Sequence, residues 1–135
     1  MRGKPVLHHL DLNVADLERS NAFYGGLLAR LGYQPGEAGA GWTTWRCGPF
    51  YVTLVQTQEP HRSQGFHRKR IGLNHLAFAA PSREAVDDLH AWLCSQGVAV
   101  LYGGPKEMGS PDDPNYAVFF EDPDRLKLEY VYRAD

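Results

Sequence analysis

The sequence predicts an α+β fold in which a β-α-β-β-β unit occurs twice. Two observations indicate this fold: a strand-like segment with a histidine opens each copy, and a helical pattern and three short extended segments follow it. One helix covers only one face of a four-stranded sheet, so the other face must be buried or line a cavity. We therefore expect curved mixed sheets around a central cavity, with the helices outside.

The first copy opens with an alternating segment at 6–14. Its even-numbered residues are apolar except for His8, and residues 9, 11 and 13 are polar. Asp16 is placed to cap a helix that ends at Gly32. Three extended segments follow, around Tyr33, at 42–47 and at 50–56.

The second copy opens at 71–79, and Ser82 is placed to cap a helix that ends at Gly97. Residues 103–115 are rich in Gly, Pro and Asp, which predicts an inserted loop of the kind that often serves as a lid. The remaining strands are predicted at 98–101, 116–121 and 126–132.

Length and composition fit one domain over residues 1–135. We assign module one to about 5–57, a linker to about 58–70 and module two to about 71–133. A net charge of −2 gives no reason to expect nucleic acid, and no apolar run approaches a membrane span or a signal peptide. A cytoplasmic protein is the resulting expectation. Cys94 lies in an apolar helical pattern, which predicts a buried, reduced thiol.

Three side chains are candidate metal ligands. His9 lies on the polar face of its strand, His75 takes the equivalent position in the second copy, and Glu129 interrupts a hydrophobic strand. A buried carboxylate needs a partner, and a metal ion is one such partner. Two imidazoles and a carboxylate suit Fe, Mn, Zn or Ni and leave coordination positions open. The alternative is that these histidines are structural and only hydrogen-bonded.

Three segments resemble one family over nearly the whole chain. They are His9-Leu10-Asp11-Leu12-Asn13-Val14-Ala15-Asp16-Leu17-Glu18-Arg19-Ser20 with Phe23-Tyr24, then Asn74-His75-Leu76-Ala77-Phe78, then Glu121-Asp122-Pro123-Asp124 with Lys127-Leu128-Glu129. The chain resembles the vicinal oxygen chelate superfamily, which includes glyoxalase I, extradiol dioxygenases, and fosfomycin- and bleomycin-resistance proteins. Relatives commonly dimerise, so the resemblance implies a homodimer, with a site either within one chain or shared by two.

The resemblance also implies roles for individual residues. The family's metal ligands fall on His9, His75 and Glu129, and the fourth ligand of glyoxalase I falls on Thr53, a poor ligand. The site is therefore expected to have three protein ligands, as in the dioxygenases, with Glu129 also counted as catalytic. Thr53 and Tyr51 are expected to contact the substrate.

These assignments predict an enzyme that acts on a small substrate with vicinal oxygens through one divalent metal ion. The metal would act as a Lewis acid in isomerase, lyase or oxygenase chemistry. The alternative function is a binding protein of the bleomycin-resistance type, which sequesters a ligand without turnover.

Several other features allow two interpretations. Trp42, Trp45 and Tyr51 fit either a cavity lining or core packing. The basic linker run at 67–70 is interpreted as solvated, although near a cavity its charge would favour an anionic substrate. Arg125 stands where the family often has Gly, which we interpret as turn variation without functional meaning.

Overall fold

The computed structural model describes residues 7–134. The predicted start of module one, at residues 5 and 6, lies outside the described residues. The chain divides between Gly65 and Phe66 into two compact units. Within residues 7–134, no helix is long and apolar enough to cross a membrane.

The first unit is a four-stranded sheet covered by one helix. Strand β1 pairs in parallel with β4, and the other neighbouring strands are antiparallel, giving the order β1-β4-β3-β2. A short helix, α2, follows at Glu59–Arg62. The main elements are β1 His9–Val14, α1 Leu17–Arg30, β2 Gln34–Gly39, β3 Trp42–Cys47 and β4 Phe50–Gln56.

The second unit repeats this arrangement with the order β5-β8-β7-β6, in which β5 and β8 are parallel. The prediction of an α+β fold with two mixed sheets is therefore confirmed. The central cavity stays a prediction. The elements are β5 Leu76–Ala79, α3 Arg83–Ser95, β6 Val100–Ser110, β7 Asp113–Glu121 and β8 Lys127–Arg133.

Both main helices begin at the predicted caps. Asp16 Oδ1 accepts a hydrogen bond from the Arg19 amide, and Ser82 Oγ accepts one from the Ala85 amide. Each helix packs one apolar stripe on its own sheet. The fully buried side chains of these stripes are Tyr24, Leu27 and Leu28 in α1, and Val86 and Leu93 in α3.

The prediction of a loop at 103–115 is wrong, because β6 and β7 form a long hairpin there. Lys106 pairs with Ala117, and the pairing continues to Ser110 and Asp113. Gly103 and Gly104 lie in a β-bulge of β6, where they and Tyr102 have positive φ. The composition that predicted a loop therefore belongs to this bulge and to the hairpin tip.

Two smaller expectations also fail. The strand that opens the second copy begins only at Leu76, after Gly72 with φ 130°. Cys94 is exposed rather than buried, on the side of α3 where its Sγ lies 3.4 Å from His90 Nε2. The apolar pattern of α3 was correct, but Cys94 lies outside the stripe that faces the sheet.

Candidate functional site

The polar face of β1 is positioned by strand alternation. His9, Asp11 and Asn13 are exposed, whereas Val14 on the opposite face is 1% exposed. His9 lies opposite Tyr51 on β4, and the two rings stack with a centroid distance of 4.8 Å and an interplanar angle of 3°. His9 Nδ1 also lies 2.8 Å from His8 Nδ1. These contacts fix the plane of the His9 imidazole.

Tyr51 belongs to the same face as His9. The Arg46 guanidinium carbon lies 4.4 Å from the centre of the Tyr51 ring, a cation–π contact. Tyr51 therefore contacts both the cationic Arg46 and the candidate ligand His9, on the face of the sheet that α1 does not cover. This placement excludes packing of Tyr51 in the core between α1 and the sheet, and its role in lining a cavity stays a prediction.

The two tryptophans of β3 lie on opposite faces. Trp45 lies opposite the buried Val52, and its Nε1 donates a hydrogen bond to Asn21 Oδ1 of α1 at 3.0 Å. Core packing against the helix therefore explains Trp45. Trp42 lies opposite Val55, on the same face as Thr53.

The structure brings His75 and Glu129 together within the second unit. His75 directly precedes β5, and Glu129 lies on β8 opposite Ala77. His75 Nε2 is 3.0 Å from Glu129 Oε1, and the two side chains are 35% and 12% exposed. On the other side of the ring, His75 Nδ1 lies 2.7 Å from Asn74 Oδ1.

This geometry places two acceptors against each other. A neutral imidazole carries one N–H, but both nitrogens of His75 face an acceptor oxygen; with the N–H on Nδ1, towards Asn74 Oδ1, Nε2 carries no proton. The lone pair of His75 Nε2 then faces a carboxylate oxygen at 3.0 Å. Two such acceptors repel each other unless a cation lies between them, either a proton on Nε2 or a metal ion.

The predicted third ligand, His9, belongs to the first unit, and its role as a ligand beside His75 and Glu129 stays a prediction. Within residues 7–134, no group of three or more His, Cys, Asp or Glu side chains is arranged to hold a metal ion. The structure thus brings together two of the three predicted ligands.

Thr53 occupies in the first sheet the place that Glu129 occupies in the second. Thr53 pairs with Asp11, two residues after His9, and Glu129 pairs with Ala77, two residues after His75. Thr53 Oγ1 lies 3.4 Å from Thr44 Oγ1 on the neighbouring strand. The register therefore makes Thr53 the structural counterpart of Glu129 in the first sheet.

Three further side chains share the face of Glu129, and the sequence analysis did not assign them to the site. Phe119 lies opposite Glu129, with its ring centre 5.8 Å from that of His75 and 5.5 Å from that of Tyr102. Lys127 Nζ lies 4.8 Å from the centre of the Phe119 ring. Strand alternation in 116–121 and 126–132 was a signal that could have identified Phe119 and Lys127.

Tyr102 reaches this face because the bulge holds its backbone at φ 57°. Lys127 Nζ donates a hydrogen bond to the Tyr102 hydroxyl at 2.8 Å, and this bond lowers the pKa of Tyr102 below its ordinary value. The charges of Lys127, Arg68 and Lys106 act in the same direction, while burial opposes them. The resulting surface beside His75 and Glu129 is aromatic and cationic.

Comparison with known proteins identifies the family and the fold. Residues 6–130 match the model of the Glyoxalase/Bleomycin resistance protein/Dioxygenase superfamily. The uncharacterized protein YqjT of Bacillus subtilis (strain 168) is 42% identical over 125 residues, which cover 93% of this chain and 97% of YqjT.

Solved structures show the same fold. A candidate glyoxalase from Bacillus halodurans has a TM-score of 0.83 and 42% identity, with 96% of each chain covered. A glyoxalase/bleomycin resistance protein from Albidiferax ferrireducens T118 has a TM-score of 0.78 and 26% identity, covering 94% of this chain and 98% of that chain. The chain therefore belongs to the glyoxalase/bleomycin resistance protein/dioxygenase superfamily.

Proposed function

We propose that the protein is an enzyme that depends on a divalent metal ion and acts on a small substrate with vicinal oxygens. The observation that carries this proposal is the 3.0 Å approach of His75 Nε2 to Glu129 Oε1. An imidazole nitrogen and a carboxylate oxygen that face each other in this way are a typical pair of metal ligands. His9 is proposed as the third ligand, from the same chain or from a second copy.

The donor set fits a metal ion. His75 Nε2 and Glu129 Oε1 are 3.0 Å apart, close enough for both to bind one divalent ion. Asn74 Oδ1, 2.7 Å from His75 Nδ1, is placed to accept a hydrogen bond from an Nδ1–H group, as the outer partner of a metal-binding histidine commonly does. Fe, Mn, Zn and Ni all accept such ligands.

When bound, the metal would act as a Lewis acid that stabilises negative charge developing on the substrate oxygens. Glu129 contributes the negative charge that balances the ion, and Asn74 fixes the ring of His75. Phe119, which is 5% exposed, provides an apolar surface beside these two side chains, and Tyr102 packs against its ring. Tyr51 and Thr53 are proposed to contact the substrate.

Metal analysis of purified variants tests this proposal. We expect about one ion per wild-type chain and at least about a tenfold loss of occupancy in His75→Ala and Glu129→Gln, because each removes a donor. His61→Ala, which changes an exposed histidine of α2, is the matched control and should retain the metal. Equal metal content in the wild type and His75→Ala would refute the proposal and favour the ligand-sequestering alternative.

A second assay separates the reaction classes. Reconstitution with Fe(II) without oxygen, followed by oxygen uptake on added catechols, would identify oxygenase chemistry. Turnover with Ni(II) or Mn(II) in the absence of oxygen would instead identify isomerase or lyase chemistry.

A further inference from the structure

A small cationic cleft lies on the second unit. Its volume is about 200 Å³. Charges of one sign that line a cleft favour a ligand of the opposite charge. Its lining residues are Phe66, His67, Arg68, Lys69 and Arg125.

The cleft carries more positive charges than the one carboxylate in contact with them can neutralise. Arg68 Nη1 lies 2.9 Å from Glu121 Oε2, and Arg125 Nε lies 3.5 Å from the same oxygen. One carboxylate thus faces two guanidinium groups, and Lys69 adds a third positive charge to the lining. An arginine has five N–H donors, so Arg68 retains donors for a ligand after it has bonded to Glu121.

The turn at 67–70 holds these donors in place. The Arg70 amide donates to the His67 carbonyl at 3.0 Å, and the Lys69 amide donates to His67 Nδ1 at 3.1 Å. Because Nδ1 accepts a hydrogen bond, a neutral His67 ring carries its proton on Nε2 and adds an N–H donor. Arg68 is 26% exposed and Glu121 is 12% exposed, so their ion pair is partly shielded from solvent.

Arg125 has a backbone conformation that favours glycine. Its φ is 68°, which costs a non-glycine residue roughly 1–2 kcal/mol. Asp122 Oδ1 stabilises this turn by accepting hydrogen bonds from the Asp124 and Leu126 amides, both at 2.8 Å. The strained backbone and the Asp122 hydrogen bonds hold the Arg125 side chain beside the cleft.

The cleft lies close to His75 and Glu129 along the sheet. Glu121 pairs with Lys127, and Phe119 pairs with Glu129, so all four residues share one face. The Glu121–Lys127 pair lies two residues along the strands from the Phe119–Glu129 pair, a distance of about 7 Å. A small molecule is long enough to span this distance.

We propose that the cleft binds the anionic group of the substrate, which makes the substrate a small organic carboxylate or phosphate. The guanidinium groups of Arg68 and Arg125, with Lys69, hold the anionic group of the substrate. The vicinal oxygens at the other end of the substrate reach His75 and Glu129. Phe66, which is 36% exposed, packs against the apolar part of the molecule. The substrate assignment depends on the proposed function, whereas anion binding by the cleft does not.

Titration of the metal-free protein with inorganic phosphate, followed by NMR, tests the inference. We expect saturable shifts of the amides of residues 66–69 and 125, and weaker binding at higher salt. Arg68→Gln and Arg125→Gly should each weaken binding by about tenfold, because each removes a charged donor. Phenyl phosphate should bind more tightly than inorganic phosphate because its ring can contact Phe66.

Matched variants distinguish a loss of phosphate binding from a general effect of charge and from unfolding. Arg70→Gln changes a neighbouring exposed charge outside the cleft lining and should leave phosphate affinity unchanged. Arg125→Gly removes the strained φ, so the protein should be at least as stable as the wild type, and weaker binding by this variant is not a consequence of unfolding.

The outcomes separate this inference from the proposed function. The absence of saturable phosphate binding would refute anion binding by the cleft even if the metal content were normal. So would a loss of affinity in Arg70→Gln equal to that in Arg68→Gln. Phosphate binding by a protein that takes up no metal would support the anion site and refute the metal-dependent enzyme.

Discussion

At the scale of single residues, Tyr102 shows how neighbours set the chemistry of a side chain. The phenolate form of Tyr102 is stabilised by the hydrogen bond that Lys127 donates and by three nearby positive charges. Tyr102 is also 52% exposed and borders Phe119, which lies opposite Glu129. Its phenol is therefore placed to exchange protons with solvent.

Replacing Lys127 should return the pKa of Tyr102 towards its ordinary value. In Lys127→Met the hydrogen bond and its charge are lost, so the pKa of Tyr102 should rise towards its usual value. Phenolate absorbance during an alkaline titration measures this change, with Tyr102→Phe identifying the signal. Lys106→Met should have a smaller effect, because Lys106 acts only through its charge. Identical titration curves for the wild type and Lys127→Met would contradict this account.

The sequence predicted which face each candidate ligand would occupy but not its partners. Alternation in hydrophobicity placed His9 and Glu129 away from the buried faces, and the structure agrees. The contact of Asn74 with His75 depends on a bend before β5, which has no signal in residue type. The positive φ of Arg125 had no signal in the arginine itself, and only the glycine common at this position in the family indicated it.

At the scale of elements, the ends of the helices follow local chemistry. The Asp16 carboxylate accepts a hydrogen bond from the third amide of α1, and Gln56 Oε1 accepts one from the first. The strong agreement between predicted and observed helix starts follows from capping contacts like that of Asp16, because they involve residues only three positions apart.

Removing the cap of α1 should destabilise the protein. Asp16→Ala should lower the free energy of unfolding by about 1 kcal/mol, because the Arg19 amide loses its acceptor. Denaturant unfolding measures this loss. Asp16→Asn retains an acceptor of similar capping strength and should remain close to the wild type; an equal loss in both variants would assign the effect to charge instead of capping.

The β6–β7 hairpin was harder to predict than the helices. Its pairing joins residues through a bulge of three left-handed residues, Tyr102 to Gly104, and a composition rich in glycine and proline favours a loop when taken alone. Contacts with α3 stabilise the observed hairpin. Arg83 bonds to Glu107, and the Tyr116 hydroxyl donates to Asp87. Such contacts between distant segments are not visible in a local pattern.

At the scale of the whole molecule, the expected homodimer remains to be tested. Leu7 is 70% exposed and Ile71 is fully exposed, and a dimer interface that covered either residue would remove apolar surface from water. Light scattering should therefore give about twice the 15.1 kDa mass of one chain. A mass equal to one chain at micromolar concentration would refute the dimer.

Mixed dimers distinguish the two arrangements of the proposed site. Combining His9→Ala chains with His75→Ala chains regenerates one intact ligand set only if His9 and His75 come from different chains. Recovered metal binding in the mixture would identify a shared site, and none would identify a site within one chain.

The matching registers of the two sheets have a consequence for how activities diversify in this fold. Thr53 and Glu129 occupy corresponding backbone positions, each two residues beyond a histidine on the pairing strand. A carboxylate can thus be gained or lost at residue 53 by exchanging one side chain, with no shift of any strand. Proteins that share this backbone can differ in the number of metal ligands through a single substitution.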